Sequence, residues 1–401
     1  MKNQRLYFVA LVIGVLLNIS IFAQEEEKEE AYQFTMVKEV PTTSVKDQYR
    51  SGTCWSFSGL AFIESELLRI GKGEYDLSAM WVVRKSYEDQ ARKYVRMHGS
   101  LNFSAGGAFV DVLNVIKNHG IVPTEVYKGL NYGEDKHVHG ELDNILKSYV
   151  DAVLKNGNKK LSPVWLDAYK AVLDVYMGKE PENFTYNGKT YKDSKEFAKS
   201  LNLNIDDYVN ISSFTHHPFY EKFIIEVPDN WAYGEVYNLP LDEMMEVIDN
   251  AINNGYTLAW GADVSEKGFK YAKGFAVIPA EERPDLDGLE RDKWEKLSAK
   301  EKEEQLYKFD KPLPEKTITQ EIRQNAFDNW ETTDDHGMQI AGIAKDQNGT
   351  KYYYVKNSWN TANIYNGFFY ASETFVKYKT LNYVVHKDAI PKDIKKKLNI
   401  K

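Results

Sequence analysis

Apolar residues recur at helical spacing in three segments of the first third of the chain. The first segment covers residues 54–71 and ends at a glycine. The second starts after Ser78, a residue type that caps helix N-termini, and continues to Met97. The third covers residues 108–120 and also stops at a glycine. The pattern therefore predicts three helices, one after another.

The middle of the chain has a more mixed pattern. Residues 140–205 are polar and mostly helical in their spacing, whereas residues 208–227 alternate like strands. An amphipathic helix is predicted over residues 239–255, followed by a buried strand over residues 256–264. Residues 281–310 are dense in charge, which is typical of a solvated helix or loop rather than of a binding surface.

Two further strands are predicted near the C-terminus. Residues 336–344 and 351–359 have strand patterns, and the segment KDQNG at residues 345–349 supplies turn residues between them. Helices therefore come first and strands with intervening helices follow. This order predicts an α+β fold.

The N-terminus differs in character from the rest. Lys2 and Arg5 precede a short apolar run that ends at Ala23, as in a secretory signal peptide. We therefore interpret residues 1–23 as a signal peptide and residues 24–40 as a solvated acidic leader. The protein is expected to be exported, either to a periplasm or as a secreted protein. The alternative is an uncleaved signal that keeps it associated with a membrane.

Composition limits the classes of function. Hydrophobic residues make up 43% of the 401 residues, enough for a large core, and the formal net charge of -8 argues against nucleic acid as a partner. The chain has one cysteine, Cys54, so no disulfide can form within it. Cys54 is therefore either a buried apolar side chain or a reactive group.

The surroundings of Cys54 favour chemistry. A helix N-terminus stabilises a thiolate, and the predicted first helix begins at this residue. A thiol nucleophile also needs a base and a group that orients the base. His336 opens one predicted strand and Asn357 lies on the next. If residues 346–349 form the loop, residue 338 opposes Asn357, and a hydrogen bond between the His336 and Asn357 side chains is plausible.

Two more residues fit the same arrangement. Trp359 can cover the hydrogen bond between His336 and Asn357 and exclude water from it. Gln48 lies shortly before Cys54, and its side-chain amide can join the backbone N–H of Cys54 in stabilising an oxyanion.

These residues carry a family resemblance. The segment QYRSGTCW, with HGM and NSW later in the chain, resembles the papain-like cysteine peptidases and their C-G-[SA]-C-[WY] signature. The resemblance implies that Cys54 is the nucleophile, His336 the general base, Asn357 the orienting group and Gln48 an oxyanion donor. It also implies a fold of two lobes, one helical and one an antiparallel sheet, with the active-site cleft between them.

The chain departs from this pattern in ways that suggest one branch. Ser51 replaces the first cysteine of the signature, and Asn360 replaces the glycine common after NSW. His336 lies much further from the nucleophile than the roughly 130 to 150 residues of the signature. The peptidase domain, residues 41–401, is thus expected to contain large helical insertions at about residues 140–330. This combination resembles the bleomycin hydrolase and aminopeptidase C branch.

The branch implies further roles. Gly106 and Gly107 would offer backbone groups to the substrate, although they could also form only a helix-entry turn. The C-terminal carboxylate of Lys401 would lie in the cleft and bind the substrate's free amine, with Leu398 and Ile400 as apolar anchors. The alternative for this tail is a disordered basic segment. The branch also implies a homo-oligomer, with a homohexamer as one form.

The function predicted from the sequence is an exported cysteine aminopeptidase that hydrolyses peptides through a thioester. An endopeptidase or acyl-transferring enzyme with the same triad, or an inactive scaffold on this fold, remains open.

No metal or organic cofactor is implied. His216 and His217 have no carboxylate or thiol at ligand spacing, so they are interpreted as ordinary histidines. Asp334 and Asp335 either form a solvated loop or raise the pKa of His336.

Overall fold

The computed structural model describes residues 32–401. The predicted signal peptide and most of the predicted acidic leader lie outside these residues. Among the helices of residues 32–401, none is long and apolar enough to cross a membrane.

The first half of the described chain contains one strand, a set of helices and a small hairpin. These elements are β1 (Phe34–Glu39), α1 (Cys54–Arg69), α2 (Ala79–Arg96), α3 (Phe109–His119), α4 (Gly140–Leu154), α5 (Trp165–Met177), β2 (Phe184–Tyr186), β3 (Lys189–Tyr191) and α6 (Ser194–Leu201). The three helices predicted between residues 54 and 120 are present as α1, α2 and α3. The side chain of Ser78 accepts a hydrogen bond from the Trp81 N–H at the start of α2, as its residue type predicts.

The second half contains most of the strands. They and the intervening helices are β4 (Tyr208–Ser212), β5 (Lys222–Ile224), β6 (Glu235–Asn238), α7 (Leu241–Asn253), β7 (Leu258–Ala262), β8 (Phe269–Lys270), β9 (Phe275–Ala276), α8 (Gly288–Glu295), α9 (Ala299–Leu306), α10 (Gln320–Asp328), β10 (His336–Asp346), β11 (Lys351–Lys356), β12 (Phe368–Ser372), α11 (Glu373–Lys379), β13 (Thr380–His386) and α12 (Lys392–Lys397). The strands form one sheet in the order β5-β6-β4-β13-β7-β10-β11-β12-β9-β8, and β1 also pairs with β10.

Buried apolar side chains form two main cores. One lies among α1 to α6 and includes Leu60 and Val82. The other lies on the sheet and includes Trp260, Ile340 and Phe369. The two cores correspond to a helical lobe and a sheet lobe, so the predicted α+β, papain-like fold is confirmed.

Two predicted boundaries need correction. The acidic leader is predicted to extend to residue 40, but residues 34–39 form β1. This strand pairs antiparallel with β10, so its backbone hydrogen bonds cover an edge of β10 that would otherwise be unpaired. The helical insertion was placed at about residues 140–330, but residues 208–262 supply four strands of the main sheet. The inserted helices therefore fall into two groups, α4 to α6 on the helical lobe and α8 to α10 beside the sheet.

Close packing between α1 and β10 joins the two lobes at the site. A Cβ atom on Gly337 would lie 2.7 Å from Ser58 Oγ and 3.2 Å from Trp55 Cα, so only glycine allows this approach. Further along β10, Gln339 Nε2 donates to the Ala61 carbonyl at 3.2 Å. The start of β10 is thereby held against the start of α1.

A buried polar network fixes the segment that precedes α1. The carboxylate of Glu64, on α1, is fully buried and accepts hydrogen bonds from Thr43 Oγ1 at 2.7 Å, Lys46 Nζ at 2.6 Å and the Leu77 N–H at 2.8 Å. Such a carboxylate is stable in the core only because its charge and lone pairs are satisfied. The network therefore positions residues 43–48, which lead to Gln48.

Candidate active site

A cavity of about 470 Å³ lies between the two lobes at the N-terminus of α1. Cys54, the first residue of α1, lines it. The structure brings most of the predicted site residues to this cavity, namely Gln48, Cys54, Gly106, Gly107, His336 and Trp359. Asn357 lies directly behind His336, and Lys401 lies elsewhere.

The hydrogen bond predicted between His336 and Asn357 is present, with 2.7 Å between Nε2 and Oδ1. The backbone N–H of Ser358 donates to the same Oδ1 at 2.7 Å, which identifies that atom as the oxygen of the amide. His336 Nε2 must therefore be the protonated ring nitrogen. The lone pair remains on Nδ1, so the imidazole can act as a base through that atom.

Trp359 covers this pair. Its ring centroid lies 4.5 Å from that of His336, with 31° between the ring planes. His336 is 5% exposed and Asn357 3% exposed, so water has little access to their hydrogen bond.

Asn360, the residue after Trp359, has a φ of 58°, in the left-handed region that asparagine tolerates better than most residues. This conformation explains how asparagine replaces a glycine there.

Gln48 is oriented by two hydrogen bonds. Its Nε2 donates to the Ser51 carbonyl at 2.9 Å, and Ser358 Oγ donates to its Oε1 at 2.7 Å. One amide hydrogen of Gln48 is left for the cavity, as an oxyanion donor requires. Ser358 is a site residue that the sequence reasoning missed. Its position inside the NSW segment was the only available signal.

Burial opposes a lone charge on either member of the Cys54–His336 pair. Burial raises the pKa of the Cys54 thiol to about 12, although a hydrogen bond from the Gly337 backbone N–H partly lowers it. Burial lowers the pKa of His336 to about 4, although the hydrogen bond that His336 donates to Asn357 acts in the opposite direction. Proton transfer from Sγ to Nδ1 creates both charges side by side. Their attraction, and the N-terminus of α1, then offset the cost of desolvation.

Gly106 and Gly107 lie in an extended approach to α3 along the cavity wall. A Cβ on Gly107 would lie 2.8 Å from Trp55 Cε2, and one on Gly106 would lie 1.9 Å from Asp229 Oδ2. The Trp55 indole N–H also donates to the Ala105 carbonyl at 3.1 Å. Both glycines are therefore needed for close packing, and their backbone lines the cavity beside Cys54.

Carboxylates in the cavity are the feature that sequence reasoning described least well. Asp334 lines the cavity and is half-buried, so it is not part of a solvated loop. Burial, with repulsion from Asp229 and Asp335, raises the pKa of Asp334 to about 7. The pKa of His336 is lowered rather than raised. Neither of the two interpretations of Asp334 and Asp335 therefore describes Asp334. The place of Asp229 in this cavity had no sequence signal.

The C-terminal residue does not lie in the catalytic cavity. Lys401 lines a separate cavity with Asn399 and Ile400, and Asn210 lies between the two cavities. Leu398 is buried in the core of the sheet lobe and Ile400 packs against it, so both are apolar anchors. Asn399 has a φ of 54°, in the left-handed region, just before the last two residues. The structure thus places Lys401 outside the lining of the catalytic cavity, and its substrate-binding role stays a prediction.

The structure also revises the account of His216 and His217. Glu226 Oε2 and Oε1 lie 3.0 Å and 2.9 Å from their Nε2 atoms, so a carboxylate is close in space though distant in sequence. Gln324 Nε2 donates to His216 Nδ1 at 3.0 Å, while Gln324 Oε1 accepts the Thr215 N–H. His216 Nε2 is thus a donor, and the cluster satisfies its own hydrogen bonds.

Comparison with known proteins agrees with this geometry. The sequence model of the peptidase C1-like family matches residues 69–305 and 288–401. Aminopeptidase C of Lactobacillus helveticus is 23% identical over 402 residues, covering 89% of this chain and 82% of that protein. Aminopeptidase C of Lactobacillus delbrueckii subsp. lactis is 22% identical, covering 90% and 83%.

Among solved structures, PepW from Lactobacillus rhamnosis HN001 superposes with a TM-score of 0.67 at 18% identity. The match covers 93% of this chain and 86% of PepW. The shared fold extends through the inserted helices as well as the two lobes. The family match, the shared fold and the arrangement around Cys54 together show that this chain belongs to the peptidase C1-like family and is a papain-like cysteine peptidase.

Proposed function

We propose that the protein is an exported aminopeptidase that cleaves peptides through a Cys54–His336–Asn357 triad and a thioester. The observation that carries this proposal is the hydrogen bond from His336 Nε2 to Asn357 Oδ1, in a histidine that lines the same cavity as Cys54. It leaves Nδ1 of His336 as the base for the thiol. The names of the relatives, aminopeptidase C, support the class of substrate.

In the first step His336 Nδ1 accepts the proton of Cys54, and the thiolate sulfur attacks the carbonyl carbon of the scissile bond. The carbonyl π electrons move to oxygen, and the backbone N–H of Cys54 and Gln48 Nε2 donate to this oxyanion. Preorganised donors of this kind are each worth about 10²- to 10³-fold in turnover.

In the second step the C–N bond breaks, His336 gives its proton to the leaving amine, and the thioester remains on Cys54. Water then loses a proton to His336 Nδ1 and attacks the thioester. The C–S bond breaks, the released thiolate recovers the proton, and the acid product leaves. Asn357 holds the imidazole in the required tautomer throughout, which is the function of the third member of such a triad.

An endopeptidase is the second candidate. The observation that favours it is the position of Lys401, because no carboxylate from the C-terminus enters the catalytic cavity. A third class, an inactive scaffold, is disfavoured by the arrangement of Gln48, Cys54 and His336 around one cavity.

One pair of substrates distinguishes these functions. A short peptide is supplied with a free N-terminus and with an acetylated one, and the products are identified by mass. We expect the full-length protein to cleave the free form faster and the Cys54→Ala variant to cleave neither. Equal rates on both forms would indicate an endopeptidase. Turnover by the Cys54→Ala variant would exclude the triad, and a folded wild type with no turnover would indicate a scaffold.

Export and assembly are further parts of the proposal. The charged start and apolar run of residues 1–23 support export. The N-terminal sequence of protein recovered outside the cytoplasm should begin after Ala23, and an unprocessed cytoplasmic chain would contradict this.

The resemblance to the bleomycin hydrolase branch supports a homo-oligomer, with a homohexamer as the form to test. Light scattering at the mass of one chain over a wide concentration range would contradict assembly.

A further inference from the structure

Two carboxylates in the catalytic cavity have no part in the steps above. Asp229 comes from the loop of residues 225–234, and Asp334 comes just before β10. Both line the same cavity, and Asp229 raises the pKa of Asp334. Both also raise the pKa of the Cys54 thiol, so both lie within electrostatic range of the nucleophile.

The carboxylate of Asp229 is fixed at the glycine pair. Its Oδ1 accepts hydrogen bonds from Asn102 Nδ2 at 3.0 Å and Ser104 Oγ at 3.1 Å. Its Oδ2 would be 1.9 Å from a Cβ on Gly106, so it lies directly over the backbone there. Within residues 32–401, Oδ2 accepts no hydrogen bond and Asp229 forms no ion pair. One oxygen therefore holds the group in place and the other is available to a ligand.

The loop that carries Asp229 is rigidly built. Asn230 Nδ2 donates to the carbonyls of Ile225 at 2.9 Å and Gly234 at 3.0 Å, while Asn230 Oδ1 accepts the Gly234 N–H at 2.7 Å. The neighbouring Trp231 is buried. Because these contacts are made inside the protein, the position of Asp229 does not depend on a ligand. A preorganised group of this kind loses little entropy on binding.

Asp334 is also without a partner. In the described part of the chain its carboxylate accepts no hydrogen bond and forms no ion pair, although it is half-buried. The charged groups that act on it are Asp229 and Asp335, both acidic. Two unpaired carboxylates in one partly desolvated cavity are costly. A cation between them would lower that cost.

The direction of the substrate follows from the chemistry. The leaving amine takes its proton from His336, so the C-terminal part of the substrate departs from the side of His336 and Trp359. The acyl part must then lie on the other side of Cys54, along Gly106 and Gly107, the second of which packs on Trp55. Asp229 stands over Gly106 at that end. The N-terminal end of the substrate therefore approaches Asp229.

We propose that Asp229, together with Asp334 in the same cavity, binds the α-ammonium group of the substrate and blocks chains that extend beyond it. The inference rests on the proposed aminopeptidase function and names the residues that would produce it. An ammonium group offers three N–H donors and one positive charge, which matches the free Oδ2 of Asp229 and the unpaired Asp334. An acetylated N-terminus offers neither the charge nor the same donors. The recognition comes from the loop of residues 225–234 and not from Lys401.

The test compares Asp229→Asn and Asp334→Asn with the full-length wild type. Asp167→Asn, a change of the same charge at an exposed position on α5, is the matched control. Each protein is given one peptide with a free N-terminus, the same peptide acetylated, and the same peptide with hydrogen in place of the amine. We expect kcat/KM on the free peptide to fall by about 10- to 100-fold in both cavity variants, the size of a charge-assisted hydrogen bond. The other two substrates should be cleaved at unchanged or higher rates.

Alkylation of Cys54 by iodoacetamide checks that the site of each variant is intact. If the ratio of rates on free and acetylated peptides is the same in wild type and in Asp229→Asn, the proposal is wrong. It is equally wrong if all three substrates lose activity together, because the loop is then only structural. Wild type that cleaves free and acetylated peptides at equal rates would instead contradict the aminopeptidase function itself, and the two failures are therefore distinguishable.

Discussion

At the scale of single residues, the catalytic cavity depends on amide groups whose orientation is set by neighbours. Asn357 Oδ1 accepts from His336 and from the Ser358 N–H, and Gln48 Oε1 accepts from the Ser358 hydroxyl. Ser358 thus orients both amides, one through its backbone and one through its side chain. The chemistry of the cavity depends on this residue although it does not touch the reacting atoms.

The first prediction concerns this positioning role. In Ser358→Ala the backbone donor to Asn357 remains, while Oε1 of Gln48 loses its partner and the amide can rotate. We expect kcat to fall by about 10-fold, the cost of one hydrogen bond, with a smaller change in KM. Gln48→Ala should lower kcat by about 10²-fold or more.

The double variant of Gln48 and Ser358 should be no slower than Gln48→Ala alone, because both changes remove the same donor. Ser100→Ala, at an exposed position, is the control. Additive losses in the double variant would show that Ser358 acts independently of Gln48.

At the scale of elements, the hairpin of β10 and β11 shows how far pattern reasoning reaches. A loop over residues 346–349 was expected to place residue 338 opposite Asn357. In the structure Lys345 pairs with Lys351, so the register near the loop differs by one residue from the expected one. A bulge between Ile340 and Gly342 then restores the expected register, and Gln339 pairs with Lys356. The prediction was correct at the site because of a bulge that no periodicity reveals.

The second prediction tests the packing of β10 against α1. In Gly337→Ala the new methyl group would meet Ser58 Oγ at 2.7 Å and the backbone of Trp55, so β10 must move away from α1. His336 would move with it. A shift of about 1 Å can cost about 10²-fold in turnover, and we expect kcat/KM to fall by that amount.

Gly140→Ala is the control for this change, because a Cβ there meets nothing within 4 Å. Its kcat/KM should equal that of the wild type. Wild-type kcat/KM in Gly337→Ala would show that the helix and the strand can adjust without disturbing the site.

At the scale of the whole molecule, the sequence was sufficient for the two lobes and for the placement of Cys54, His336 and Asn357 at one cavity. These lie on regular elements with clear periodicity or in a recognisable motif. The sequence did not predict that Asp229 lies in the cavity, because the contact between Asp229 and Gly106 joins two irregular loops that are far apart in the chain. The sequence also does not indicate that Lys401 lines a separate cavity, because that position follows from the packing of Leu398 in the sheet lobe and the positive φ of Asn399.

The third prediction follows from the position of the C-terminus. Removal of Lys401 alone should leave the ratio of rates on free and acetylated peptides unchanged, because this residue lies outside the catalytic cavity. Removal of residues 398–401 should lower the melting temperature, because Leu398 is 3% exposed in the sheet core. A ratio that falls on removal of Lys401 would return the specificity role to the C-terminal carboxylate.

The fourth prediction concerns stability and pH. Burial raises the pKa of Glu315 to about 7 from the usual 4.5, and the charges of Asp346 and Glu373 add to the rise. Hydrogen bonds from the Ile278 N–H and Ser372 Oγ act in the opposite direction but are smaller than the effect of burial. The folded state therefore binds this proton more tightly than the unfolded state. Glu315 stabilises the fold below pH 4.5, and that contribution is lost as the pH rises to about 7.

The free energy of unfolding, measured in urea between pH 5 and pH 7.5, should fall less steeply in Glu315→Gln than in the wild type. The difference over this range should be on the order of 1 to 3 kcal/mol. Glu295→Gln, an exposed position on α8, is the control and should keep the wild-type slope. Parallel slopes for Glu315→Gln and the wild type would contradict the raised pKa.

The single cysteine separates the redox sensitivity of the fold from that of the reaction. Because Cys54 is free, no cross-link stabilises residues 32–401, and a reductant should leave the unfolding transition where it is. The only thiol is the proposed nucleophile, so a mixed disulfide with a small oxidised thiol would stop turnover in a protein that remains fully folded. In any oxidising compartment, the active fraction of enzyme would then follow the local ratio of reduced to oxidised small thiols rather than the amount of folded protein.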